Sequence, residues 1–307
     1  MNLNKNIIWM LQPPRSGGTL FCRLLDGHSK ILVFPTVFRF SRRIWPKSFL
    51  KKNIHSLVKL FKFMITDKFN KTGIKKKSSN IKQKTYPFVF DKTKIINGLK
   101  KNYNIINNTN YLIFFFNSFF ESWKNLKHRN KNVKFFFGHS TLINPNSFTL
   151  NVENFFNNNN CHSIVYIVRN PVSWYLSSKY LRFAIDQFKN KKDIDKYFNY
   201  YSSMLNQAIK LKKKHNIIFI DFEDLIRNSK KTLKTFSREV NIRYEDTLIV
   251  PSFNGEDWIA NSSFNIKSKK IDVNVLKKKR KLTLNEKKSM QKYNCVEFYE
   301  KAKKKCI

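Results

Sequence analysis

The order of apolar and amphipathic segments predicts an α/β fold, a three-layer sandwich around a central parallel sheet. Three observations carry this expectation. Apolar runs of strand length recur at 7–11, 133–137, 164–168 and 217–220, rich in Ile, Val, Phe and Tyr, as strands covered on both faces are. Helix-like segments lie between and after them, at 19–26, 171–188, 194–214, 229–240 and 284–304, and strands alternating with helices build parallel sheets. No internal repeat and no long Gly/Ser/Pro linker divides the 307 residues, so a single domain, 1–307, is expected.

The first strand runs into a tight turn, Gln12-Pro13-Pro14-Arg15-Ser16-Gly17-Gly18, and the helix beginning at Thr19 closes at Gly27. The stretch 42–110 is basic, Asn-rich and poorly patterned; it reads as an insertion of helices and loops, either a lid or acceptor-binding surface or a disordered excursion. The run 111–120 is the greasiest in the chain but contains Asn117 and Ser118 and falls short of the ~20 residues that span a bilayer. The run at 164–168 ends on Arg169-Asn170-Pro171, where Asn170 is a natural N-cap and Pro171 a first helical residue.

Charge is the unusual feature of the composition. Sixty Lys and Arg against twenty Asp and Glu leave +40, a balance that ordinarily points to a polyanionic partner. Only twelve of the sixty cations are Arg, while Lys, Asn, Phe and Ile make up nearly half of the chain. Those four share adenine- and thymine-rich codons, so base composition alone accounts for the excess, and no specific nucleic-acid partner is expected. Hydrophobic residues at 41% and aromatics at 15% exclude a disordered chain. Cys22, Cys161, Cys295 and Cys306 show no metal-binding or disulfide spacing. With an N-terminal apolar run too short for a signal peptide, a soluble cytoplasmic protein without a membrane span is expected.

The turn after the first strand has the chemistry of an anion site. Small residues at Ser16, Gly17 and Gly18 let the backbone approach an oxyanion, helix-start amides and the positive helix dipole point at it, and Arg15, Ser16 and Thr19 add charge and hydroxyls. An ordinary strand-to-helix turn with a solvated Arg15 is the alternative. Compared with the nucleoside-triphosphate pattern G-x-x-x-x-G-K-[ST], Gln12 replaces the first Gly and Gly18 the Lys. A kinase-like reading survives through Asp221, at the end of the 217–220 run, as a metal-binding carboxylate or simply a turn residue. A second anion site follows at Arg169. Ser173 and Ser177 share one helix face, and Ser177 leans back towards the helix start and Arg169, at the sheet edge where open α/β folds bind ligands.

At this point the sequence resembles the sulfotransferases that use 3'-phosphoadenosine-5'-phosphosulfate (PAPS), of bacterial type. Pro14-Arg15-Ser16-Gly17-Gly18-Thr19-Leu20 is similar to their 5'-phosphosulfate loop, and Val165-Tyr166-Ile167-Val168-Arg169-Asn170-Pro171 with Ser177 to their 3'-phosphate motif. Phe219-Ile220-Asp221-Phe222-Glu223-Asp224-Leu225 resembles their YEDL segment, with Phe222 where Tyr is usual, and the segments 259–264 and 281–286 resemble their tail. The resemblance covers 7–28 and most of 133–300.

It implies a P-loop NTPase-like α/β fold and transfer of a sulfuryl group to an acceptor hydroxyl or amine, a glycan or a small molecule, without a metal. Arg15, Ser16, Gly17, Gly18, Thr19 and Leu20 would hold the 5'-phosphosulfate, Arg169 and Ser177 the 3'-phosphate, and Phe222 would lie near the adenine. Arg15 would stabilise charge on the bridging oxygen. A general base must take the acceptor's proton, and His139, expected just after the 133–137 strand, is its candidate, with a structural turn histidine as the alternative. Lys267, Lys269 and Lys270 stand where the family closes over the 3'-phosphate. His28 reads as structural, and His162 and His215 as solvated. A nucleotide or sugar kinase on the same scaffold and a basic polyanion-binding protein are the competing functions.

Overall fold

Five parallel strands form the centre of the molecule: β1 (Asn6–Gln12), β2 (Ile31–Val33), β3 (Phe135–Thr141), β4 (Cys161–Val168) and β5 (Ile217–Asp221), in the order β2-β3-β1-β4-β5. The computed structural model describes residues 5–35, 91–106, 110–127, 132–141, 161–179, 193–258 and 281–307, with a few positions between 149 and 156 and between 271 and 276. β1 lies in the middle, paired with β3 on one side and β4 on the other, and residues 7–12 are buried along their whole length. The expected three-layer α/β sandwich is therefore present, and the loop after β1 opens at the centre of the sheet's C-terminal edge.

Nine α-helices surround the sheet among the described residues: α1 (Gly18–Leu25), α2 (Lys92–Lys101), α3 (Tyr111–Ser122), α4 (Pro171–Lys179), α5 (Ile194–Leu211), α6 (Phe222–Arg227), α7 (Ser229–Glu239), α8 (Leu284–Lys292) and α9 (Cys295–Lys303). Alternation along the strands sorts the two faces. Phe137 meets Phe21 of α1 at 5.9 Å between ring centroids, whereas Trp9 and Phe136 face α3, at 6.3 Å and 5.3 Å from Phe116. The greasy run 111–120 is this helix. It is apolar around most of its circumference because the sheet, Phe34 at 4.7 Å from Phe119, and α2 cover it. Each buried Phe is worth roughly 1.5–3 kcal/mol. No described helix is long and apolar enough to cross a membrane.

Several boundaries differ from expectation for local reasons. β3 does not stop at Phe137 but continues through Gly138 and His139, because the Trp9 ring fills the space a side chain would need: a Cβ on Gly138 would lie 2.3 Å from it. The C-terminal helix divides into α8 and α9 at Asn294, which takes a left-handed φ of 50°. β6 (Ser252–Phe253) and β7 (Glu256–Asp257) form a hairpin on Asn254-Gly255, both at positive φ, the turn chemistry such a hairpin demands. Most of the 42–110 insertion, all but residues 91–106 and 110, lies outside the described residues, as do 180–192 of the expected 171–188 helix.

Candidate active site

The loop between β1 and α1 owes its shape to what packs on it. Gly17 caps α1 at φ 108°, a region open to glycine and costly for other residues. A Cβ there would lie 2.2 Å from the Phe222 ring, and one on Gly18 would lie 1.9 Å from the Gln12 side chain. Arg15 also holds a positive φ, 71°. The indole Nε1 of Trp174, buried on α4, donates to the Pro14 carbonyl at 2.9 Å and pins the loop from the neighbouring helix. Ser16 is buried and Thr19 exposed at the helix start, where first-turn amides have no partner within the helix.

The second motif ends β4 and meets this loop directly. Asn170 Oδ1 accepts from the amides of Val172 and Ser173 at 3.0 Å and 3.2 Å, starting α4 as its residue type requires. The Arg169 guanidinium donates through Nη1 to the Arg15 carbonyl at 2.5 Å and stacks over the Phe222 ring at 4.4 Å. Its own carbonyl accepts from Tyr201 Oη at 2.6 Å. Arg15 in turn reaches Ser177 Oγ with Nε and Nη2, both at 3.3 Å. The two anion motifs, whose arginines are 154 residues apart in sequence, thus form one cluster in which each arginine touches the other motif.

Its electrostatics favour an anion. Burial lowers the Arg169 pKa to about 10, the Arg15 charge adding to the effect and Glu223 opposing it, and burial lowers Arg15 too. Arg169 Nε is buried and has no hydrogen-bond partner among the described residues. Two partly desolvated guanidiniums near one another carry a cost in free energy that anionic partners would offset. Glu223 on α6, whose Oε2 accepts from the Asn170 amide at 3.1 Å, is the nearby carboxylate; burial raises its pKa.

Two residues expected at the nucleotide, Phe222 and Leu20, are engaged within the protein. Phe222 is fully buried, wedged between Gly17 and Arg169, and so packs against both motifs. The Leu20 side chain is buried in the core and its amide already donates to the Gly17 carbonyl at 3.0 Å. Asp221 is not placed as a metal-binding carboxylate. It caps α6, accepting from the Asp224 amide at 2.8 Å and from Tyr299 Oη at 2.9 Å, and its strand is separated from β1 by β4. Lys267, Lys269 and Lys270 and the segment 259–264 lie outside the described residues.

His139 sits within β3, opposite Met10 in register, two residues before the strand end. It is 4% exposed, and its Nδ1 lies 3.2 Å from Cys22 Sγ on α1. Burial, with Arg23 beside it, lowers its pKa to about 3. The other histidines among the described residues, His28, His162 and His215, make packing and backbone contacts. His28 bridges the Lys30 amide and the Arg243 carbonyl at 3.0 Å and 2.9 Å, while His162 meets Phe135 edge-on at 5.1 Å and His215 stacks on Phe156 at 4.8 Å. Neither of the last two is simply solvated.

Solved structures share this fold. The sulfotransferase domain of the Synechococcus PCC 7002 olefin synthase superposes with a TM-score of 0.53 over 95% of this chain and 95% of that one, at 14% identity. The chain has the fold of sulfotransferase domains. A second such domain, from the curacin biosynthetic pathway, gives a TM-score of 0.50 over 94% of this chain and 98% of its own, at 15% identity. No protein-family model matches the sequence, nor does any curated protein. On the sulfotransferase fold, the residues that sequence reasoning missed are Trp174, Tyr201 and Glu223. The first could have been found from its place one turn into the helix that Pro171 begins; the other two act on the motif from distant helices.

Proposed function

We propose that this protein is a sulfotransferase that moves the sulfuryl group of PAPS to a hydroxyl or amine of an acceptor, a glycan or a small molecule. The observation that carries this is the joining of the two anion motifs: Arg169 on the Arg15 carbonyl and Arg15 on Ser177. A site for one phosphate needs only the loop. A ligand with a phosphosulfate at one end and a phosphate on the ribose explains why a second, half-buried arginine is held against it.

In this reading Ser16, Gly17, Gly18 and Thr19 receive the 5'-phosphosulfate on helix-start amides and hydroxyls, and Arg169 and Ser177 receive the 3'-phosphate. The acceptor oxygen or nitrogen attacks sulfur, the bond from sulfur to the bridging oxygen breaks with its electron pair leaving on the nucleotide's 5'-phosphate, and a general base takes the acceptor's proton. Arg15 stabilises the charge that gathers on the bridging oxygen. His139 is the titratable group on the β3 side of the loop. Asp221, with both oxygens engaged, gives a metal-dependent kinase no support.

Calorimetric titration with 3'-phosphoadenosine 5'-phosphate (PAP) tests the assignment. Losing a charge-assisted hydrogen bond costs roughly 1.5–3 kcal/mol, so Arg169→Ala weakens binding about 10- to 150-fold. Equal affinity in the two proteins would overturn the 3' site.

A further inference from the structure

We infer that Glu286 is a positioning residue for the 3' site: from α8 it grips α4 on the face opposite Ser177 and holds that helix against the Arg15 loop. The grip on α4 stands on hydrogen bonds alone; its consequence for nucleotide binding rests on the sulfotransferase reading.

Two faces of α4 are engaged by different parts of the chain. Trp174 and Ser177, three residues apart, share the face turned to the loop. There Trp174 Nε1 donates to the Pro14 carbonyl at 2.9 Å, and Ser177 Oγ accepts from the Arg15 guanidinium at 3.3 Å. Tyr175 and Lys179, four residues apart, share another face. They stand two residues before and two after Ser177. At 3.6 residues per turn each projects about 160° from it, one on either side, so their face is centred opposite the loop. On that face Glu286 Oε1 accepts from Tyr175 Oη at 2.8 Å and from Lys179 Nζ at 2.5 Å.

The carboxylate is itself firmly placed. Glu286 is 2% exposed and closes the capping box of α8: its Oε2 accepts from the Thr283 amide at 2.8 Å, and its own amide donates to Thr283 Oγ1 at 3.4 Å. α8 is tied to α5 through Asp195, whose Oδ1 accepts from Ser289 Oγ and Oδ2 from Lys292 Nζ, both at 2.5 Å. α5 packs on α4 in turn, with Phe198 stacked on Tyr175 at 4.6 Å. The capping box needs only one carboxylate oxygen. The other is directed at α4, where hydrogen bonds to an ionised acceptor are stronger than neutral ones. Without Glu286, α4 keeps its contacts to the loop but loses its backing, and Ser177, in the last turn of the helix, is no longer fixed beside Arg15. Glu286 acts through α4 and is not placed at the nucleotide.

The test titrates the full chain with PAP and with adenosine 5'-monophosphate, which lacks the 3'-phosphate. Glu286→Ala should lower the preference for PAP about tenfold, the lower end of what a charge-assisted contact is worth, while the monophosphate keeps its affinity. Glu286→Gln, which keeps an acceptor for Tyr175 and the cap, should retain most of the preference. Tyr175→Phe combined with Lys179→Met removes the two donors, leaves the capping box intact, and should reproduce the loss. An unchanged preference in Glu286→Ala, or equal losses for both nucleotides, overturns the inference, since a merely structural residue would not move the ratio. A second readout needs no nucleotide. Hydrogen exchange followed by mass spectrometry should show α4 losing protection in Glu286→Ala while β4 stays protected, and an unchanged α4 would also overturn the inference. A wild type that binds the two nucleotides equally would count against the PAPS reading, and the exchange result would then decide whether Glu286 positions α4.

Discussion

Replacing Gly17 by Ala tests whether the phosphate loop is held by Phe222. The added Cβ would lie 2.2 Å and 2.3 Å from two carbons of the ring, and Phe222 has no exposed edge through which to retreat. A left-handed conformation costs an L-residue roughly 1–2 kcal/mol, and overpacking a core site a further ~1–3 kcal/mol. The stiffer unfolded chain returns about 0.4–1 kcal/mol. A net loss of about 1–5 kcal/mol follows, measured as the free energy of unfolding in urea. PAP affinity should fall as well, because the displaced ring is the one on which Arg169 stacks at 4.4 Å. The double variant with Phe222→Leu frees space for the methyl group, so the two substitutions should be less than additive, the mark of residues in contact. A Gly17→Ala protein with unaltered stability and PAP affinity would refute this packing argument.

Other substitutions separate the roles proposed for neighbouring groups. Trp174→Phe keeps the ring but removes the donor to the Pro14 carbonyl; leaving a buried acceptor unpaired costs about 1–3 kcal/mol, read as lower stability together with weaker PAP binding. Asp221→Ala removes a cap of α6 and should cost ~1 kcal/mol in the same unfolding assay, yet leave PAP affinity unchanged, with or without magnesium. His139 governs part of the pH dependence. Its folded pKa of about 3 lies below the ordinary value of ~6.5, so the unfolded chain binds the proton first and stability is lost as pH falls from 6.5 towards 3. At pH 5 that loss is about 2 kcal/mol, and His139→Gln should abolish it in urea unfolding compared at pH 7.5 and pH 5.

The parts of this protein legible in its sequence are those governed by local chemistry. Arg15 to Thr19 and Arg169 to Pro171 disclose their turns and helix starts because glycine, proline and Asn170 constrain the backbone where they stand. What joins the motifs is not local: Trp174 on Pro14, Tyr201 on Arg169 and Phe222 on Gly17 depend on helices brought together by the sheet order. Gly138 concealed the full length of β3, since a glycine ordinarily weakens a strand and only the Trp9 ring shows why one belongs there. β2, at three residues, carries too short a pattern to register. The Asn254-Gly255 hairpin had a clear turn signal but only two residues on either side. The burial of Phe222 between Gly17 and Arg169 was likewise not legible in its motif, since it depends on both turns meeting over one ring.

In the proposed function the Arg15 loop and the Arg169 motif together bind one nucleotide bearing anions at its 5' and 3' positions. Titration of wild type and Arg169→Ala with PAP and with adenosine 5'-monophosphate, in EDTA, tests it most directly. PAP should bind the wild type more tightly by about 10- to 150-fold, the worth of one charge-assisted contact, and Arg169→Ala should erase that preference while leaving the monophosphate nearly unaffected. Equal binding of the two nucleotides by the wild type, or a preference that survives Arg169→Ala, would contradict the account.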